Sequence, residues 1–222
     1  MKKIIIGALC ACLTTACTAQ QSKVTGLIRG LEDGPEVYVT KRIGEFGTDT
    51  VATAVVEKEA FSFVMPKERF GQMYEIRFKG IRPSVSFFAE NGEVKIDGNK
   101  DNIYFSRVSG TPDNDAWGDY QQFIKQVNEN RNTIFFAANK AEQEGNTEQP
   151  AAYKRQMKEV EDRIKNYSDS LISNMPKSAA ALYLAKVPFM MYKAHQIDSL
   201  LALFDPSMKT NPYYIEMKER AD

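Results

Sequence analysis

Thiols, imidazoles and carboxylates are the side chains able to attack, exchange or hold a metal, and this sequence distributes them unevenly. Its three cysteines, Cys10, Cys12 and Cys17, all stand near the N-terminus, and its one histidine is His195. Thiol–disulfide exchange needs a thiolate in the folded part, and zinc or haem needs several converging imidazole or thiolate ligands. Beyond Cys17 neither set exists, so the sequence predicts no redox cysteine pair, no disulfide framework, no metal centre and no cofactor. Asp97, Asn99 and Asp101 match the first half of a calcium-loop spacing. The place of the bidentate acid is taken by Val108 and that of the turn glycine by Asn102, so an ordinary turn is the better reading.

His195 opens a short helix, and no serine and acid stand at a spacing that would fix a triad around it. Glu159, Glu161 and Asp162 read as a solvated helix face, whereas a glycosidase needs two acids facing each other across a substrate. No GxxxxGK[ST] or HExxH run is present. No catalytic residue is assigned, and the chain is expected not to be an enzyme. Trp117, Phe135, Phe136, Tyr213 and Tyr214 could line a peptide or glycan groove. Phe135 and Phe136 put rings on adjacent helix faces, and one seam cannot bury both. The second ring is expected to pack on the β-domain, with a partner surface as the alternative. Arg131, Phe135 and Phe136 are the candidate partner-contacting residues.

The cysteines fall where an export signal would put them. Lys2 and Lys3 precede an uncharged apolar run, Ile4 to Leu13, too short to span a bilayer. Leu13-Thr14-Thr15-Ala16-Cys17 is similar to a bacterial lipobox, which predicts a signal peptide over residues 1–16 and lipid on Cys17. Leu9-Cys10-Ala11-Cys12 is a second lipobox-like run, and Cys17-Thr18-Ala19 permits ordinary cleavage after Ala19. Several acyl chains on one N-terminus anchor stably. The expectation is a bacterial envelope protein held by lipid, facing the periplasm because no acidic run follows Cys17, with secretion to the periplasm as the alternative. The membrane is then met only through that N-terminal lipid.

With 43% hydrophobic and 26% charged residues the chain can build a core and is not disordered. A formal net charge of zero leaves no basic excess for phosphates, so no nucleic acid is expected as a partner.

The elements that must position these residues divide the chain in two. Residues 22–110 are expected to form an antiparallel β-sandwich or barrel-like domain. Tyr74 to Lys79 alternates apolar and charged residues as a half-buried strand does. Val24–Leu31, Val37–Lys41, Ala60–Met65, Val85–Ala89, Val94–Ile96 and Ile103–Val108 supply the other strands. Asn91-Gly92 between apolar runs predicts a type I′ hairpin, and Asp33-Gly34-Pro35 another turn. From Pro112 the period changes. Trp117, Tyr120, Ile124, Val127, Ile134, Ala138 and Ala141 recur at helical spacing with Arg131 in the skipped place, and Asp113 or Asp115 is placed to cap the helix. After Gly145-Asn146-Thr147, Tyr153, Met157, Val160, Ile164, Tyr167 and Leu171 repeat the pattern, which predicts a long antiparallel helical hairpin. Shorter helices are expected from Ser178, Ile197 and Asn211-Pro212. Residues 112–222 are thus all-α, and the whole is α+β.

Val24-Thr25-Gly26-Leu27-Ile28-Arg29-Gly30-Leu31, Asp33-Gly34, Val37-Tyr38-Val39, Phe61-Ser62-Phe63, Phe88-Ala89-Glu90-Asn91-Gly92 and Val108-Ser109-Gly110 resemble the envelope lipoprotein domain of unknown function numbered 4369. The helical stretch, with Ser178-Ala179-Ala180-Ala181 and Asp205-Pro206, is similar to the connector of such proteins. The resemblance implies a thioredoxin-like thiol–disulfide interchange domain downstream. That domain and its CxxC are not in this sequence, which stops at Asp222, so its activity is not carried over. The expected function is a non-enzymatic, envelope-anchored binding or assembly module for a protein partner, such as a separately encoded thioredoxin-like subunit. The alternatives are a hydrolase whose acids converge only in the fold, and a degenerate remnant of a thiol–disulfide interchange protein.

Overall fold

The computed structural model describes residues 21–43, 47–66, 71–145, 149–188 and 191–222. Cys10, Cys12 and Cys17, with the signal and cleavage sites expected around them, lie outside the described residues, as do Asn146 and Thr147 of the hairpin loop. Among the described residues eight strands come first: β1 (Gln21–Arg29), β2 (Glu36–Ile43), β3 (Gly47–Val55), β4 (Ala60–Pro66), β5 (Met73–Phe78), β6 (Ile81–Phe88), β7 (Gly92–Asn99) and β8 (Arg107–Ser109). Five helices follow: α1 (Pro112–Gln143), α2 (Gln149–Asn174), α3 (Ala179–Lys186), α4 (Ala194–Leu201) and α5 (Pro212–Ala221).

Two open four-stranded sheets, ordered β4-β1-β7-β8 and β3-β2-β5-β6, make a sandwich and not a closed barrel. Alternation decides which side chains go inside. Val24 and Ile28 of β1, Val37 and Val39 of β2, Tyr74, Ile76 and Phe78 of β5, and Val94 and Ile96 of β7 are buried in one core. The charged neighbours Lys23, Arg77 and Lys95 face outward. Gly26 is the small place in this pattern: a Cβ there would stand 2.1 Å from Cζ of Phe61. The missing side chain makes room for the Phe61 ring, which packs 5.6 Å from that of Phe78 in the other sheet.

The structure corrects several sequence expectations. Asn91-Gly92 is not a hairpin. β6 belongs to one sheet and β7 to the other, so the pair turns the chain across the sandwich. The reason is pairing preference: β7 runs parallel to β1, with Val94 opposite Val24, while β6 is held by β5. The β4-β1-β7-β8 sheet is therefore mixed, while the β3-β2-β5-β6 sheet is purely antiparallel. Ile103 to Val108 is not one strand: Lys100–Phe105 is a 3-10 turn whose start is capped by the Asn99 side chain, accepting from Asp101 N at 2.9 Å, and only Arg107–Ser109 is extended. Asn99 and Asp101 thus form the turn, while Asp97 lies within β7 with its carboxylate bound to Arg29 at 2.8 Å. β3 was not expected. Its Thr-rich sequence sits on a sheet edge, mostly exposed, so it carries no strong alternation.

The helical hairpin is as expected. Val127 of α1 and Val160 of α2 are buried in its seam, and Phe123 stacks on Tyr167 at 4.4 Å. Gly118 lets α1 lie against the sandwich edge, since a Cβ there would meet the Val108 carbonyl oxygen at 2.1 Å. Ser178 caps α3 through Ala181 N at 3.0 Å, and Asn211 caps α5 through Tyr213 N at 2.9 Å. Among the described residues no helix is long and apolar enough to cross a membrane.

Candidate functional site: the joint and the projecting hairpin

β6 ends its sheet, so its outer backbone groups need partners from elsewhere. Side chains of α1 provide them. Asn114 Oδ1 accepts from Phe88 N at 2.9 Å and its Nδ2 donates to Phe88 O at 2.8 Å. Trp117 Nε1 donates to Ser86 O at 3.1 Å. From the C-terminal end, Tyr213 Oη accepts from Met73 N at 2.8 Å and Asn211 Nδ2 donates to Gly71 O at 2.9 Å. Phe88, Trp117 and Tyr183 pack edge to face above this joint. Trp117 and Tyr213, read from sequence as candidate groove aromatics, are therefore structural here: Trp117 is 8% exposed.

A buried polar cluster reinforces the joint. Asp113 does not cap its own helix, and neither does Asp115, which accepts from Gly110 N at 2.8 Å. Thr111 holds the N-cap place of α1 without a side-chain cap bond. The Asp113 carboxylate instead reaches the start of α3. It accepts from the Ser178 hydroxyl, from Ala179 N at 3.1 Å and from Ala180 N at 3.4 Å. Burial pushes the Asp113 carboxyl above its ordinary value, against the pull of those three donors. Glu90 Oε2 accepts from Asp113 N at 3.1 Å, and burial raises it too, with the Asp113 charge adding to the effect. Sequence reasoning missed this cluster. Ser178 was legible as the start of a helix, but nothing local pairs it with Asp113.

The other expected site residues are scattered. His195 lies exposed in the first turn of α4. Glu159, Glu161 and Asp162 are exposed on α2, with Asp162 paired to Lys158 at 3.2 Å. Among the described residues no group of three or more His, Cys, Asp or Glu is placed to hold a metal ion.

The candidates on the outer hairpin do come together. Phe135 is 49% exposed and Phe136 68%, their rings 5.9 Å apart. They lie about 27 Å along α1 from Trp117, at 1.5 Å per residue. The expectation that one ring packs on the β-domain is thus corrected: α1 meets the sandwich near its start, and its far half projects past it. Arg131, also exposed, opens into a cleft between the arms of about 460 Å³, lined by Asn128, Arg131, Asn132, Phe135, Tyr153 and Met157. Its place in an apolar seam was legible from sequence. The cleft was not, because it depends on what α2 sets opposite.

No curated protein and no solved structure matches the chain. The family model of a domain of unknown function (DUF4369) matches residues 22–117, which takes in the sandwich and the start of α1. That match over residues 22–117 is to the family that the strand and turn motifs resemble.

Proposed function

We propose that this protein is a non-enzymatic binding module of the bacterial cell envelope, anchored through lipid on Cys17 and facing the periplasm. Its sandwich is the platform, and its helical hairpin is the part that meets a protein partner. The observation that carries the reading is the pair of exposed rings, Phe135 and Phe136, on the half of the hairpin beyond the sandwich. Exposed phenylalanines side by side are costly to solvate and are typical anchors of protein interfaces. The platform supports the same reading. Asn114 and Trp117 tie α1 to the edge strand β6, and Tyr213 ties α5 to the start of β5, which fixes the direction in which the hairpin projects. A thioredoxin-like subunit encoded separately is one partner that fits the family resemblance.

The test is capture of partners from envelopes with the wild type and with Phe136→Ser. The ring is mostly solvent-facing, so the variant should unfold within about 0.5 kcal/mol of the wild type and lose the co-purifying partner. Retention of every partner by a folded Phe136→Ser protein would place the contact elsewhere, most directly on the sandwich.

A further inference from the structure

We propose that the cleft around Arg131 recognises a carboxylate carried by a polypeptide beside an aromatic or long aliphatic side chain, that is, an acidic peptide segment of the partner. This rests on the reading that the hairpin is the contact site and adds the chemistry of what it contacts.

Arg131 interrupts an otherwise apolar seam. At Arg131 the heptad seam calls for an apolar residue that would close the arms on each other. The arms instead leave a cleft of about 460 Å³, a size typical of a pocket for a small ligand or a few side chains. The cleft has two characters. Arg131, Asn128 and Asn132 of α1 are all rich in N–H donors. Phe135, one turn further along α1, and Tyr153 and Met157 of α2 add an adaptable apolar lining.

Those donors are unused among the described residues. Arg131, Asn128 and Asn132 make no hydrogen bond or ion pair with the described residues. Three other cations of the hairpin are paired along their helix: Lys140 with Glu144, Lys158 with Asp162 and Lys165 with Asp169. Arg131 has no such option. Its helical neighbours three and four residues away are Val127, Asn128, Ile134 and Phe135, none of them acidic. Glu129, two residues away, lies about 160° around the helix. On α2, Lys154 and Arg155 beside Tyr153 also carry no ion pair within the described residues, while Glu159 is about 160° from Met157. The cleft therefore presents free positive charge next to an apolar wall. A planar guanidinium matches a carboxylate with two parallel hydrogen bonds. The free amides of Asn128 and Asn132 are placed for the backbone carbonyls next to it, which favours a polypeptide over a lone small acid.

The experiment uses the full-length protein purified from membranes in neutral detergent and a short amidated fluorescent peptide bearing Glu, Leu and Phe at helical spacing. Its Gln counterpart, 3-phenylpropionate and phosphatidylglycerol vesicles are the other probes. Fluorescence anisotropy should show saturable binding of the Glu peptide, at least about tenfold weaker binding of the Gln peptide, and loss of that preference in Arg131→Leu. Arg131 is exposed, so Arg131→Leu should remain folded, with helicity by circular dichroism as the check; Arg131→Gln is the second variant. Equal binding of the two peptides, or a preference that survives both variants, overturns the proposal. So does displacement by 3-phenylpropionate at concentrations matching the peptide, which would mean a small-acid site, or Arg131-dependent binding to the vesicles, which would mean a lipid headgroup. If the peptides fail while Phe136→Ser still loses its envelope partner, the hairpin is the contact site and only the cleft chemistry is wrong. If both fail, the underlying reading falls.

Discussion

Replacing Asp113 by Ala should be among the most damaging single changes in the helical half. The carboxylate is the acceptor for the Ser178 hydroxyl and for the Ala179 and Ala180 N–H groups at the start of α3. Asp113 is 8% exposed, Ser178 5%, Ala179 3% and Ala180 1%, so water cannot replace it. An unmet buried donor costs about 1–3 kcal/mol. The Ala180 contact, at 3.4 Å, is long and counts for little. Two full donors, less the relief from no longer desolvating a charge, give a loss of about 3 kcal/mol. Asp113→Asn keeps one acceptor oxygen and should lose only about 1 kcal/mol. Urea unfolding followed by the fluorescence of Trp117, the single tryptophan, reads both, because that ring sits at the joint. The pH dependence has a definite sign. Burial raises the folded-state value of Asp113 above the ordinary 3.8. Its stabilising contribution is therefore full below that ordinary value and is lost as pH rises through the raised one. The wild type should lead Asp113→Asn by most at about pH 4 and by less at about pH 7. A loss below about 1 kcal/mol in Asp113→Ala, or a lead that grows with pH, would refute this account of the cluster.

Other expectations follow from single contacts. Asn114→Ala strips partners from both backbone groups of Phe88 and should cost roughly 2–3 kcal/mol by the same unfolding assay. Lys58 holds a φ of +52° in the turn between β3 and β4. Lys58→Gly should raise stability by about 0.5–1 kcal/mol in calorimetry, since only glycine is at ease there. Cys17→Ser should abolish fatty-acid labelling and release the protein from membranes; persistent labelling would move the lipid to Cys12.

What the sequence made legible was local. Alternation in Tyr74 to Lys79 marked β5, helical spacing from Trp117 marked α1, and Asn211-Pro212 marked the start of α5, because each is fixed by neighbours a few residues apart. What it hid was set by distant partners. Asn91-Gly92 carries the chemistry of a hairpin, yet β1 and β5 compete for the flanking strands and the turn becomes a crossover between sheets. β3 escaped because an exposed edge strand needs little apolar pattern. Asp113 looked like the cap of its own helix and serves another one 65 residues away. On the hairpin, Arg131, Phe135 and Phe136 stood out from the seam pattern alone. That Arg131 and Phe135 share a cleft with Asn128, Tyr153 and Met157 needed the register of the two arms.

The central claim is that partners meet the outer hairpin, and photo-crosslinking in intact envelopes tests it most directly. A photoreactive residue would be placed at Phe136 and, in a separate protein, at Val64, which is 57% exposed on the outer face of β4. The account predicts a discrete crosslinked adduct from position 136 and none from position 64. Adducts from position 64 alone would contradict it and make the sandwich the binding surface.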